Sequence, residues 1–279
     1  MNGKQADFFL RLKGNPYLRF FLYPVMKCRV FITKMKYILS GDNKKIKKYR
    51  KVHEGERCFI IGNGPSLLVE DLELLNDEIT IGMNRIFNIF LRTSWRPRYY
   101  IAVDEEFIRS EIKNIKAIPG DVFIKNMDIV KRNLKGKNNV VPIFINSPTP
   151  IKNYNFKKKY ISENLEDGFS LNYSVACYAI ELAIYMGFKE IYLIGIDHCF
   201  PKEIKANGKT KQRDMKEHFD GGSYKDGNVS YYIDSVTSCF EMYEKYSKDK
   251  GIRIVNCTRG GKLEVYERKA INEVKNHNV

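Results

Sequence analysis

The sequence predicts an α/β protein: an open, mostly parallel sheet with helices on both faces, a lid region and a basic helical N-terminal arm. Three observations predict it. Short apolar runs alternate with helical patterns between residues 58 and 255. Each run ends in a polar residue, in turn Asn63, Asn84, Asp104, Asp197 and Asn256. The charge is also segregated: of a net +15, residues 1–51 carry +12, with 14 Lys and Arg against Asp7 and Asp42.

The elements follow in order. Cys58–Ile61 is a buried strand running into Gly62-Asn63-Gly64-Pro65-Ser66, a tight turn that opens a helix over Leu67–Leu75. Ile79–Met83 and Tyr99–Val103 are the next strands, followed by a helix over 105–115. Val122–Ile124 and Val140–Ile145 continue the sheet, and the polar stretch 146–170 reads as a long loop. Ser174–Met186 is a strongly apolar helix stopped by Gly187. Ile191–Ile194 is a buried strand ending in Gly195-Ile196-Asp197, and residues 199–230 form the lid. Tyr231–Lys250 is an amphipathic helix, and Ile252–Val255 is the last strand.

At 279 residues, 43% hydrophobic and 29% charged, the chain can bury a core without disulfides or metal staples. Its six cysteines form no CxxC pair, which points to a reduced, cytoplasmic protein. Phe20–Met26 is too short for a transmembrane span and is interrupted by Pro24. Lys27 and Arg29 follow it without a small-residue cleavage site, which argues against a signal peptide.

Residues 1–52 are read as a basic amphipathic arm and linker, and residues 53–279 as the catalytic domain. Between residues 8 and 39, Phe, Leu, Tyr, Val and Ile interleave with Arg and Lys. Such a segment can lie in a headgroup layer, peripheral on the inner face of the cell membrane. It can equally pack on the body or on another subunit. Nucleic acid is not expected, because the rest of the chain is nearly neutral and carries no recognition motif.

In a parallel sheet the strand-end residues meet in one crevice. Glycines 62 and 64 let backbone N–H groups approach an anion, but a plain strand-to-helix turn needs them too. Asn84 and Asp104 suit hydroxyls or a metal ion, or simply cap loops. His218, in Lys216-Glu217-His218-Phe219-Asp220, can act as a general base near neutral pH. A solvated loop histidine is the plainer reading, and His198 is its rival as base. Thr258-Arg259-Gly260-Gly261-Lys262 places an anion-forking guanidinium after the last strand, or is a flexible turn. Tyr224, Tyr231 and Tyr232 can donate to a departing phosphate or serve in packing.

Ile60–Leu67 together with Gly187–Phe200 resembles the bacterial sialyltransferases of glycosyltransferase family 42. His218-Phe219-Asp220 and Asn256–Tyr266 are similar to the MptE-like family, named for a 6-hydroxymethylpterin pyrophosphokinase and related to motility accessory factor glycosyltransferases. The resemblance covers roughly residues 57–268. It implies a Rossmann-like domain with a lid and a CMP-activated nonulosonic acid donor. Displacement would be direct, with inversion, onto a glycan or glycolipid acceptor.

Under the resemblance, Asn63, Gly64 and Ser66 match the donor loop and Asn84 a second nucleotide-contacting asparagine; Gly62 and Pro65 of the same loop are added as binding candidates. Ser174 lies beside a family serine or threonine position, and Asp104 stands where that family has asparagine. His218 would match the family's general base; from their own chemistry, Asp197 and Arg259 join it in the catalytic set, and Tyr224 and Thr258 join the substrate-binding set. No tightly bound cofactor and no protein-held metal are expected. The alternatives are an MptE-like pyrophosphokinase using ATP and Mg2+ on carboxylates such as Asp104 and Asp197, or a non-catalytic nucleotide-binding scaffold. Oligomeric state stays open.

Overall fold

A computed structural model describes residues 16–125, 128–146, 161–200, 202–204, 210–212, 218–219 and 231–275. Its centre is an eight-stranded sheet. The strands are β1 (Arg57–Ile61), β2 (Thr80–Met83), β3 (Tyr99–Ala102), β4 (Asp121–Lys125), β5 (Val140–Ile143), β6 (Glu190–Ile194), β10 (Arg253–Asn256) and β11 (Glu267–Arg268). They are ordered β11-β10-β6-β1-β2-β3-β4-β5, and every pairing is parallel. Three short strands, β7 (Lys202–Ile204), β8 (Thr210–Gln212) and β9 (Tyr231–Tyr232), make a separate small sheet in the lid region.

The strands read as continuous apolar runs because both sheet faces are covered. Side chains alternate across the sheet. Cys58 and Ile60 of β1 join one core with Ile191 and Leu193 of β6, while Phe59 and Ile61 join the other with Tyr192 and Ile194. The first face is covered by α2 (Asp42–Lys47), α6 (Val175–Met186) and α7 (Ile233–Asp249). The second is covered by α3 (Val69–Glu73), α4 (Glu105–Lys116), α5 (Asp128–Asn133) and α8 (Ile271–Lys275).

Two helices show why their sequences start and stop where they do. Asp104 caps α4 by accepting from Phe107 N at 2.7 Å, with Glu105 and Glu106 in the first turn and Lys113 and Lys116 in the last. Ser174 caps α6, and Gly187 ends it at φ 94°, a left-handed conformation that glycine adopts without a Cβ penalty. The helix expected over 67–75 is a shorter one, α3. The helix expected from Tyr231 begins at Ile233, because Tyr231–Tyr232 pairs with β7 as a strand.

Residues 41–57, read from the sequence as a linker or solvated helix, pack on the body. The arm helix α1 (Pro16–Leu39) ends by inserting Tyr37, fully buried and stacked on Phe144 at 5.8 Å. Ile46 of α2 is fully buried, and Tyr49 meets Phe123 edge-on at 4.8 Å. His53 stacks on Phe188, and Lys51 N and His53 N donate to the last turn of α6. Local polarity conceals this packing, since a few residues, Ile46, Tyr49 and His53 among them, carry it with the two backbone hydrogen bonds to α6.

Of the stretch expected to be an open loop, 147–160 lies outside the described residues. The remainder packs, with Leu165 and Phe169 fully buried and Phe169 bridged to Ile145 beside β5. No helix among the described residues is long and apolar enough to cross a membrane.

Candidate active site

The chain builds the sheet outward from β1 to β5 and then returns to the other side of β1 with β6. The order therefore reverses between β1 and β6, and a crevice opens beyond their carboxyl ends. Three loops meet there: 62–66 after β1, 195–198 after β6 and 257–262 after β10.

Hydrogen bonds lock these loops together. Gly64 N donates to Gly195 O at 2.9 Å, and Ser66 Oγ donates to Asp197 Oδ2 at 2.7 Å. Ile196 N donates to Thr258 Oγ1 at 3.1 Å, and Lys262 N to Asp197 O at 2.8 Å. A Cβ on Gly64 would collide with the Asp197 carboxylate, so that position needs glycine for close approach.

Asp197 alters the expected role of the glycine loop. Its carboxylate takes the Ser66 hydroxyl and the Ser66 backbone N–H. Ser66 thus already holds an internal carboxylate, and Gly64 N is taken by Gly195 O, where the loop could otherwise have met a phosphate. Burial raises the Asp197 pKa above its ordinary value, against the lowering effect of Ser66.

The two asparagines have a different character. Asn63 Nδ2 donates to Met83 O at 2.9 Å, which ties β1's loop to the peptide just before Asn84. Asn84 sits at φ 45°, and its carbonyl accepts from Tyr100 Oη at 2.8 Å. Asn63 Oδ1 and Asn84 Oδ1 are both buried without a hydrogen-bond partner in the protein. Two uncompensated acceptors on neighbouring strand ends are costly unless something donates to them. Ribose hydroxyls and base amino groups are donors of that kind.

His218 reaches this place through its neighbour. Phe219 N donates to Asn63 O at 2.9 Å, and the Phe219 ring packs against the second core. The His218 segment is therefore docked on the 62–66 loop. The rival His198 is buried at φ 51°. Its Nε2 lies 2.8 Å from Thr237 Oγ1, whose hydroxyl donates to Ile233 O, so Nε2 carries the proton. Burial lowers the His198 pKa to about 4, which keeps the ring neutral, and Nδ1, like the two asparagine oxygens, is buried without a partner in the protein. What sets His198 apart is that its ring is held by Thr237 and packed edge-on against Phe240.

The other expected residues have local duties. Asp104 spends its carboxylate on the cap of α4. Asn256 is buried, donating to Leu263 O and accepting from Thr258 N, so it shapes the last loop. Thr258 is buried in the same tie. Arg259 pairs with the buried carboxylate of Asp71, and half of its side chain stays exposed beside the crevice. Ser174 caps α6, whose N-terminus lies at the crevice end of the sheet. Tyr224 lies outside the described residues.

Sequence reasoning missed Glu181. This fully buried glutamate of α6 accepts from Ser162 N, Ser170 N and Asn172 Nδ2. Asn172 in turn bonds Tyr243 of α7. Burial raises the Glu181 pKa. The available signal was one carboxylate inside Val175-Ala-Cys-Tyr-Ala-Ile-Glu-Leu-Ala-Ile-Tyr-Met186, an otherwise apolar helix.

A family model described as 6-hydroxymethylpterin diphosphokinase MptE-like matches residues 29–203, more than half of the chain. This chain belongs to the MptE-like family. The match begins within α1, so it includes the packed residues Tyr37 and Ile46. Among curated proteins, none matches the sequence of this MptE-like chain.

Similar solved structures include two glycosyltransferases. One is an MAf glycosyltransferase from Magnetospirillum magneticum AMB-1, at 15% identity and TM-score 0.49 over 84% of this chain and 38% of that one. The MptE-like chain thus spans about two fifths of that protein's length. The other is the sialyltransferase CstII from Campylobacter jejuni, solved with cytidine-5'-monophosphate, at 19% identity and TM-score 0.44 over 78% of this chain and 86% of that one.

Proposed function

We propose that this MptE-like protein is a glycosyltransferase of surface-polysaccharide or glycoconjugate biosynthesis. It takes its sugar from a nucleotide-activated donor, a CMP-linked nonulosonic acid first among the candidates, and passes it with inversion to a glycan acceptor. We assign it a cytoplasmic, peripheral place at the membrane. The observation that carries the reading is the meeting of three groups at one strand-end crevice: the buried amide oxygens of Asn63 and Asn84, and the His218 segment docked on Asn63.

In this reading Asn63 and Asn84 accept from the donor's ribose or base. His218 takes the proton of the acceptor hydroxyl as that oxygen attacks the anomeric carbon. The bond from that carbon to the phosphate oxygen breaks, and CMP leaves with the electron pair. A base in this position contributes about 10²–10⁴-fold. Asp197 acts by holding Ser66, and its negative charge repels phosphate, so the leaving group belongs toward the exposed side of Arg259.

Pyrophosphoryl transfer from ATP to a pterin is the second reading, favoured by the family's description. That chemistry uses Mg2+ on carboxylates. Asp104 and Asp197 do not fit a shared ion. Each is committed to its own loop, and their strands lie three places apart, about 14 Å at ordinary spacing. Among the described residues there is no group of three metal-ligating side chains.

Thermal-shift titration with CMP, CDP, UDP, GDP and ATP, each with and without Mg2+, separates the readings. CMP at 100 times its Kd should stabilise the protein by about 2.7 kcal/mol without metal. Stabilisation only by ATP with Mg2+ would favour the pyrophosphokinase. His218→Ala should retain CMP binding and lose at least 10²-fold in transfer; undiminished transfer would remove His218 from the mechanism.

A further inference from the structure

α1 has two apolar faces, and the body uses only one. On the inner face Tyr37 is fully buried against Phe144. On the outer face Val25, Cys28, Ile32, Met35 and Leu39 recur at alternating steps of three and four residues, which lines them up along one stripe, with Phe31 at its border. All six are exposed, Leu39 by 80% and Val25 and Phe31 by 63% each. Single exposed apolar residues are ordinary, but a continuous stripe along one helix is an interaction surface.

The edges of the stripe are basic. Arg29 and Lys36 follow one side, Lys27 lies beyond Phe31 on the other, and Lys34 turns toward the body, where it pairs with Asp167. The helix contains five Lys and Arg and no Asp or Glu. A second copy laid on the stripe would set cations against cations with no acid to pair them. An anionic surface meets both needs, accepting the apolar stripe between acyl chains while Lys and Arg reach back to the headgroups.

The stripe lies at the crevice end of the sheet. Glu105, the first residue of α4 just beyond β3, has its pKa lowered chiefly by Lys125 at 2.8 Å and, among weaker nearby charges, by Arg29. Lys34 pairs with Asp167 at 2.9 Å, and Tyr37 stacks on Phe144 just beyond β5. We infer that the outer face of α1 docks this protein on an anionic lipid surface, at the end of the sheet where the nucleotide crevice opens. The acceptor is then carried by a lipid of that same surface. The acceptor clause rests on the glycosyltransferase reading; the docking face does not.

The test is flotation of the full chain with vesicles of phosphatidylcholine alone and with phosphatidylglycerol added to give a negative surface potential. Binding should need the anionic lipid and weaken as salt rises. Phe31→Ser with Leu39→Ser should weaken it at least tenfold, and Lys36→Glu roughly fivefold or more, since each cation adds about that factor. Unchanged melting temperature and CMP response in these exposed-site variants would show an intact fold.

Equal binding to both vesicles, or none to either, overturns the proposal. So does concentration-dependent self-association abolished by the same substitutions, or capture only by an acidic protein. The assay contains no nucleotide, so loss of the transferase reading through the nucleotide titrations leaves its result standing, and the reverse holds as well.

Discussion

His198 and His218 show how environment assigns duties to two residues of one type. His198 follows the β6 turn directly, and on sequence it rivals His218 as base. Its burial instead lowers its pKa to about 4, with Nε2 spent on Thr237. This has a stability consequence. Between the ordinary histidine pKa and 4, the unfolded chain binds a proton that the native protein refuses. Stability is therefore full above about pH 6.5 and falls as pH drops toward 4, by about 3 kcal/mol from this residue. His198→Asn suits the left-handed backbone at φ 51° and cannot titrate. Urea melts across pH 4–7 should show a shallower decline in that variant than in the natural protein. An unchanged slope would place the titrating group elsewhere.

At the scale of elements, α6 is held by more than its apolar faces. Glu181 gathers three donors from the 162–172 segment, and Asn172 carries the tie on to Tyr243 of α7. Glu181→Ala would leave Ser170 N unpaired and Asn172 Nδ2 one hydrogen bond short, at about 1–3 kcal/mol each before relaxation, while Ser162 N keeps Ser170 Oγ at 2.9 Å. A loss of about 3 kcal/mol or more in urea unfolding is expected, with Glu181→Gln retaining much of it. A loss under 1 kcal/mol for the alanine variant would mean that the segment repairs itself.

The elements also show what was legible in the sequence. Seven strands of the large sheet and α4 and α6 were readable because their signals are local: apolar runs, helical patterns, and Gly187 as a stop; β11 and the three short lid strands, only two or three residues each, were not. The packing of residues 41–57 was not, because Ile46 and His53 find their partners far along the chain, Phe188 among them. Polar strand ends were readable as a set, but their uses were not. Whether Asp104, Asn256 or Asp197 serves a ligand or a loop depends on which backbone N–H lies within 3 Å, and only folding decides that.

At the scale of the molecule, the reversal of strand order beside β1 gathers residues from three distant loops into one crevice. The basic helix α1 is set at the same end. Both follow from a single topology, since every strand of the sheet points its carboxyl end the same way. On sequence the glycine loop reads as a phosphate cradle or a plain turn. Asp197 already holds the Ser66 hydroxyl and N–H, so in the proposed function nucleotide recognition falls to the amide oxygens of Asn63 and Asn84.

That assignment is tested most directly by calorimetric titration of CMP into the natural protein and into Asn84→Gly. Glycine takes the φ of 45° at position 84 without strain and removes only the amide. A dissociation constant raised at least tenfold, with the melting temperature little changed, is the expected result. Equal affinity for CMP in the two proteins would contradict the account.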